Sequence, residues 1–197
     1  VDAHPAQRAA ALRQLGAPSA GERREGARAL GRIGLMGDVT ALSPRLGDDD
    51  SEVRDAAQAA IWQIWSRSGD EAIDAHLRRG IGQMAGGELT AALATFSEII
   101  RARPDFTEAW NKRATVYFML GDFERSLRDC EEVFKRNPQH FGALSGAAQM
   151  HLQMGHLDEA LDLLLRAREA NPGLASTDGL IEMLKRHRRA VRERRSI

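Results

Sequence analysis

Apolar residues return at helical spacing along this chain. In its second half the helical stretches come in pairs, each joined by a Gly-polar turn and closed by Pro. The closing phrases are Arg103-Pro104, Asn137-Pro138 and Asn171-Pro172, with the prolines 34 residues apart. That period divides the sequence into blocks 73–106, 107–140 and 141–174. In register across the blocks, Gly80, Ala114 and Ala148 coincide, as do Ala92, Ser126 and Ala160, and Phe96, Cys130 and Leu164. The turn phrases Gly87-Glu88-Leu89, Gly121-Asp122-Phe123 and Gly155-His156-Leu157 coincide as well. Small residues stand where paired helices must approach, and Phe96, Trp110, Tyr117 and Phe123 fill between them. Gly121 and Gly155 supply positive φ just past a helix end. Pro cannot continue a helix but opens the next.

The first seventy residues follow a different period. Arg23, Ala29, Leu30 and Ile33 recur 31 positions later as Arg54, Ala60, Ile61 and Ile64, and Leu15 recurs as Leu46. The run Asp48-Asp49-Asp50-Ser51 precedes a helix, where unpaired N–H groups and the dipole favour acids. Pro44 is expected to kink or shorten the helix before it. Trp62 and Trp65 lie one turn apart, either filling the core of this segment or joining it to the first block; Trp62→Ala is expected to cost about 3–5 kcal/mol. After Pro172, Ser176-Thr177-Asp178 opens a last helix. One face carries Leu180, Ile181, Leu184 and Val191, the other Lys185, Arg186, Arg188, Arg189, Arg192, Arg194 and Arg195. This reads as a cap over the last pair.

The 34-residue block resembles the tetratricopeptide repeat, whose pattern is W-x2-L-G-x2-Y, then small, then aromatic, then Pro. Block 107–140 matches it with Trp110, Ala114, Tyr117, Gly121, Ser126 and Pro138. Block 141–174 keeps Leu144, Ala148, Gly155, Ala160, Ala167 and Pro172, with His151 in place of the Tyr. Block 73–106 keeps Gly80, Ala92, Phe96 and Pro104, with His76 and Gln83 replacing aromatics. The phrase Val53-Arg54-Asp55-Ala56-Ala57 resembles the second helix of a HEAT repeat. These resemblances imply an all-α fold, a right-handed α-solenoid of stacked helix pairs. Its parts would be HEAT-like repeats over 1–69, three tetratricopeptide repeats over 70–174 and a basic capping helix over 175–197. Stacked repeats need about three units to close a core, so the HEAT-like end is expected to dock on the first block.

Composition narrows the function. The 197 residues are 43% hydrophobic and 28% charged, which is globular, and 28 Lys+Arg balance 28 Asp+Glu. That balance excludes a globally polycationic nucleic-acid binder. Lys112, Lys135 and Lys185 are the only lysines, a bias that fits a GC-rich bacterial genome. Cys130 alone excludes an intrachain disulfide framework and a multi-thiolate zinc site. No stretch approaches the roughly 18 uncharged apolar residues of a membrane span. The chain begins at Val1 without Met or an apolar leader, so trimming or removal of a targeting segment precedes this numbering. Likeness to exported bacterial repeat proteins favours a periplasmic over a cytoplasmic location.

No catalytic constellation emerges. His4, His76, His140, His151, His156 and His187 are scattered without a metal triad. Cys130 occupies an interior position with no base beside it. Asp48-Asp49-Asp50 lacks the spacing of a calcium loop, and Gly80-Ile81-Gly82 and Gly86-Gly87 match no phosphate loop. The chain is therefore expected not to be an enzyme and to hold no cofactor or metal.

The tetratricopeptide resemblance instead implies a concave groove lined by the first helix of each block. Mapped here, that lining is Arg78, Ile81 and Met84, then Glu108, Asn111, Lys112, Thr115, Phe118 and Met119, then Ser145, Gln149 and Leu152. Met and Phe offer apolar anchors, and Asn and Gln suit the backbone amides of an extended peptide. The expected function is binding of another protein or peptide, as adaptor, scaffold or assembly factor, by a chain that is monomeric when isolated. Chaperone-binding members of the family clamp a carboxylate tail with Lys and Asn, then Asn, then Lys and Arg. The matching positions here are Leu77 and Ile81, Lys112, then Gly142 and Gly146, and they lack that clamp. One alternative is a tether to nucleic acid or an anionic membrane through Lys185, Arg188, Arg189 and Arg192. Another is an accessory subunit of a larger enzyme complex.

Overall fold

The computed structural model describes residues 4–195, with side chains as far as Glu193, so Arg194 and Arg195 of the basic face lie outside the described side chains. Among the described residues every regular element is a helix. The chain divides into two units. Of the described residues, one holds those up to Asp70 together with Asn171–Gly173; the other holds Glu71–Ala170 and those from Leu174.

The first unit contains α1 (Pro5–Leu15), α2 (Ala20–Ile33), α3 (Val39–Leu42) and α4 (Ser51–Trp65). Tight 3-10 turns at Met36–Asp38 and Ser43–Gly47 flank α3. Pro44 lies in the second of these and holds α3 to four residues. Leu15, Leu30, Leu42, Leu46, Val53, Ile61 and Ile64 form the buried interior, joined by Trp65. Trp62 meets Trp65 edge-on, with ring centroids 5.3 Å apart, but is itself only half-buried. Trp65 is therefore the aromatic that fills this unit.

Two arginine forks bind the irregular stretch to the helices. Arg8 Nε and Nη2 each donate to Asp38 at 2.7 Å, and Arg23 Nε and Nη2 donate to Asp48 at 2.8 and 2.7 Å. Asp50 caps α4 by accepting from Val53 N at 3.0 Å, satisfying one of the orphan donors at a helix start. Arg67 closes the other end, donating to the carbonyls of Gly31 and Gly34 at 2.5 and 2.7 Å.

The second unit holds three helix pairs: α5 (Glu71–Ala85) with α6 (Leu89–Ala102), α7 (Thr107–Met119) with α8 (Phe123–Arg136), and α9 (Phe141–Gln153) with α10 (Leu157–Ala170). The turn inside each pair is built the same way. Gly87, Gly121 and Gly155 have φ of 78°, 75° and 77°, which an L side chain adopts only with strain. The residue after each Gly donates back to the carbonyl five positions earlier. These bonds are Glu88 N to Gln83 O at 2.9 Å, Asp122 N to Tyr117 O at 2.9 Å and His156 N to His151 O at 2.8 Å. This is the Schellman closure. Within the first pair the fit is close: a Cβ on Gly80 would fall 2.5 Å from the Phe96 ring, and Phe96 is fully enclosed.

A 3-10 turn at Ala175–Thr177 leads into α11 (Asp178–Arg195). Ile181 and Leu184 of α11 are buried with Ala148, Leu161 and Leu164. Each such aliphatic side chain contributes about 1.5–3 kcal/mol by leaving water. Arg168 Nε donates to Asp178 at 2.7 Å and ties the cap to α10.

Candidate functional site

The first helices of the second and third pairs, α7 and α9, border a cleft of about 220 Å³. From α7 it takes Asn111, Ala114, Thr115 and Phe118; from α9, Gly142, Ala143, Gly146, Gln149 and Met150. Ser126 and Cys130 of α8 complete the lining. Helical spacing explains the membership, because residues three and four apart share a face. The two hydroxyls are turned onto backbone: Thr115 Oγ1 donates to Asn111 O at 3.0 Å and Ser126 Oγ to Ala114 O at 2.7 Å. Phe118 stacks on Phe123, centroids 5.8 Å apart. Gln149 is exposed.

Glu108, expected in the groove lining, is instead fully enclosed. Its Oε1 accepts from Asn111 Nδ2 at 3.1 Å and from Lys112 Nζ at 3.0 Å. Its Oε2 lies 3.2 Å from Nε2 of His140, which is also buried. His140 Nδ1 accepts the backbone N–H of Ala143 at 3.1 Å, capping α9. That bond leaves the proton on Nε2, so Nε2 donates to Glu108. Burial pushes the Glu108 carboxyl up, but His140 and Lys112 outweigh it and hold it below the ordinary carboxylate range. The carboxylate thus fixes α7 to the start of α9 and orients Asn111 toward the cleft.

The structure gathers Asn111, Thr115, Phe118 and Gln149 in one cleft and leaves the other expected groove residues elsewhere. Arg78 is exposed and pairs with Glu71 at 2.7 Å. Ile81 and Met84 are half-buried against the core of the first pair. Leu152 packs against the core beneath α11. Lys112 is turned to Glu108, Ser145 is half-buried, and Met119 is 50% exposed outside the cleft lining. Gly142, Gly146 and Met150 are lining residues that the groove mapping passed over. The first two stood out in the sequence only as missing clamp side chains.

Two tetratricopeptide repeat family models match the chain, at residues 77–130 and 117–184. The chain is a tetratricopeptide repeat protein. A TPR repeat-containing protein of Rhizobium etli is 32% identical to it over 120 residues, 61% of this chain and 59% of the relative. The human DnaJ homolog subfamily C member 3 is 30% identical over 100 residues, 51% of this chain and 20% of the relative. The match therefore spans little more than half of the first relative and a fifth of the second.

Among solved structures, the first TPR of Spaghetti (RPAP3) bound to the HSP90 peptide SRMEEVD superposes with a TM-score of 0.55 at 19% identity, covering 58% of this chain and 91% of that one. The TPR2AB-domain:pHSP90 complex of yeast Sti1 superposes at 0.52 and 15% identity, covering 90% of this chain and 77% of that one. Both share the fold of this tetratricopeptide repeat protein.

The basic face of α11 is a second surface of the repeat protein. Lys185, Arg188, Arg189 and Arg192 line a shallow concavity of about 370 Å³. Lys185 pairs with Glu182 at 2.8 Å, and Arg188 with Asp162 at 2.9 Å and Asp158 at 4.0 Å. Burial pushes the Cys130 thiol up to about 12, so it is neutral at physiological pH. Burial likewise lowers the pKa of His151, whose Nδ1 is enclosed without a hydrogen bond. Among the described residues no three His, Cys, Asp or Glu side chains gather where a metal could sit, and no helix is long and apolar enough to cross a membrane.

Proposed function

We propose that this chain is a non-catalytic protein-interaction adaptor that holds an extended polypeptide segment against the face formed by α7 and α9. The observation that carries this reading is the cleft between those helices, where apolar walls and the amides of Asn111 and Gln149 lie side by side. Such a mixture suits a peptide main chain with side chains entering between helices. That a relative of this fold has an HSP90 peptide bound supports a peptide ligand in general. The acidic tail of that peptide does not suit this chain, because Gly142 and Gly146 replace the cations that would meet it.

Panning a random peptide display library over the folded protein tests the reading. Selected peptides should lose at least tenfold in affinity on combined Phe118→Ala and Gln149→Ala. They should be indifferent to combined Arg188→Ala, Arg189→Ala and Arg192→Ala. The reverse pattern, with steep weakening between low and physiological salt, would move the function to the basic face of α11.

A further inference from the structure

We infer that the cleft between α7 and α9 is a receptacle for one large uncharged apolar side chain, of leucine, methionine or phenylalanine size, projecting from the bound segment. This deepens the groove reading above and rests on it. Volume is the first argument. An apolar cavity of about 150 Å³ accepts a benzene ring, and this cleft offers about 220 Å³.

Charge is the second. None of the eleven lining residues is charged at neutral pH, and the nearby Glu108 carboxylate is matched by Lys112 and His140. A charged side chain entering here would lose water and gain no counter-ion, whereas an apolar one loses nothing.

The shape of α9 is the third. Glycine is a poor helix former, second only to proline, yet Gly146 stands in the middle of α9 and Gly142 one turn before it. A Cβ built on Gly146 meets no atom within 4 Å. The helix thus has room for a side chain at that position and carries none, and the space left is part of the cleft.

Asn111 supplies the polar edge of the cleft. It is 6% exposed, and its Nδ2 is held by Glu108 at 3.1 Å, so the amide is fixed in place beside the apolar lining.

The test uses capped tripeptides as probes: acetyl-Ala-Leu-Ala-amide and acetyl-Ala-Asp-Ala-amide. They are titrated into the whole chain with ¹³C-methyl methionine, following the Met150 methyl. The leucine probe should shift Met150 saturably and the aspartate probe should not. Gly146→Leu, which fills the cleft from α9, should weaken the leucine probe at least tenfold, and Gly146→Ala by less, while circular dichroism and melting show both variants folded. Equal shifts from both probes, no shift from leucine, or a leucine response unchanged in both variants would each overturn the receptacle. If display-selected peptides still depend on Phe118 and Gln149 after such a result, the groove reading survives while the receptacle is lost.

Discussion

Around Asp38 and Asp48 in the first unit, helices are tied to irregular backbone by guanidinium–carboxylate forks spanning 30 and 25 residues. Around Phe96 in the second, they are joined by the fit of a ring against a missing side chain. The first device tolerates irregular backbone, since an arginine reaches across a 3-10 turn as readily as across a helix. The second demands that a small residue on one helix face a side chain of matching size on its partner, as Gly80 faces Phe96. Charge enters the second unit's interior too, in the Arg113 fork to Asp129 at 2.8 Å and the Glu108–His140 bond, but there it links elements already placed by volume. The first unit should accordingly respond to titration and the second to changes in side-chain size.

Removing the Phe96 ring probes the second half of that contrast most severely. Phe96→Ala should cost about 3–5 kcal/mol, read as a lowered urea midpoint at unchanged slope. A loss below about 1 kcal/mol would show that the Gly80 contact is not what holds the first pair. Next comes the buried carboxylate. Glu108→Ala should cost about 3 kcal/mol by leaving Asn111, Lys112 and His140 without their shared acceptor. Glu108→Gln, which keeps an acceptor, should cost distinctly less. Equal losses in the two variants would assign Glu108 a role of shape and not of charge.

The smallest effect separates the units by pH. The Arg23 fork lowers Asp48 from 3.8 to about 2 against the opposing push of burial. A carboxyl depressed on folding stabilises the native state above its unfolded pKa, and that stabilisation fades as pH falls through the folded value. The contribution is about 2 kcal/mol at neutral pH, lost between about pH 4 and pH 2. Asp48→Asn should therefore be destabilised at pH 7 and show a flatter stability profile across that window in equilibrium unfolding. A profile parallel to that of the unaltered protein would remove Asp48 from the account.

Much of the second unit is legible in the sequence because its determinants repeat. The turn glycines, the closing prolines and the Gly80–Phe96 complementarity recur or pair at short, fixed offsets. Glu108 is misread because a block considered alone places it on the groove face, while the partner that encloses it, His140, comes 32 residues later in the turn opening the next helix. The vacant space at Gly146 is hard to see for a different reason: a sequence records residues, and a cleft is made of what they leave out. In the first unit the 31-residue offset points to α2 and α4. The forks stay hidden, since which carboxylate meets which arginine depends on the 3-10 turns around α3.

Cys130 has a practical consequence. It is the chain's only cysteine, 3% exposed, with its thiol held at about 12, and thiolates, not thiols, react with maleimides. A new cysteine at Gln149, on the open rim, would thus be the single fast-labelling position in an otherwise unaltered protein. A fluorophore attached there would report occupancy of the neighbouring space directly, with no background from the native sulfur.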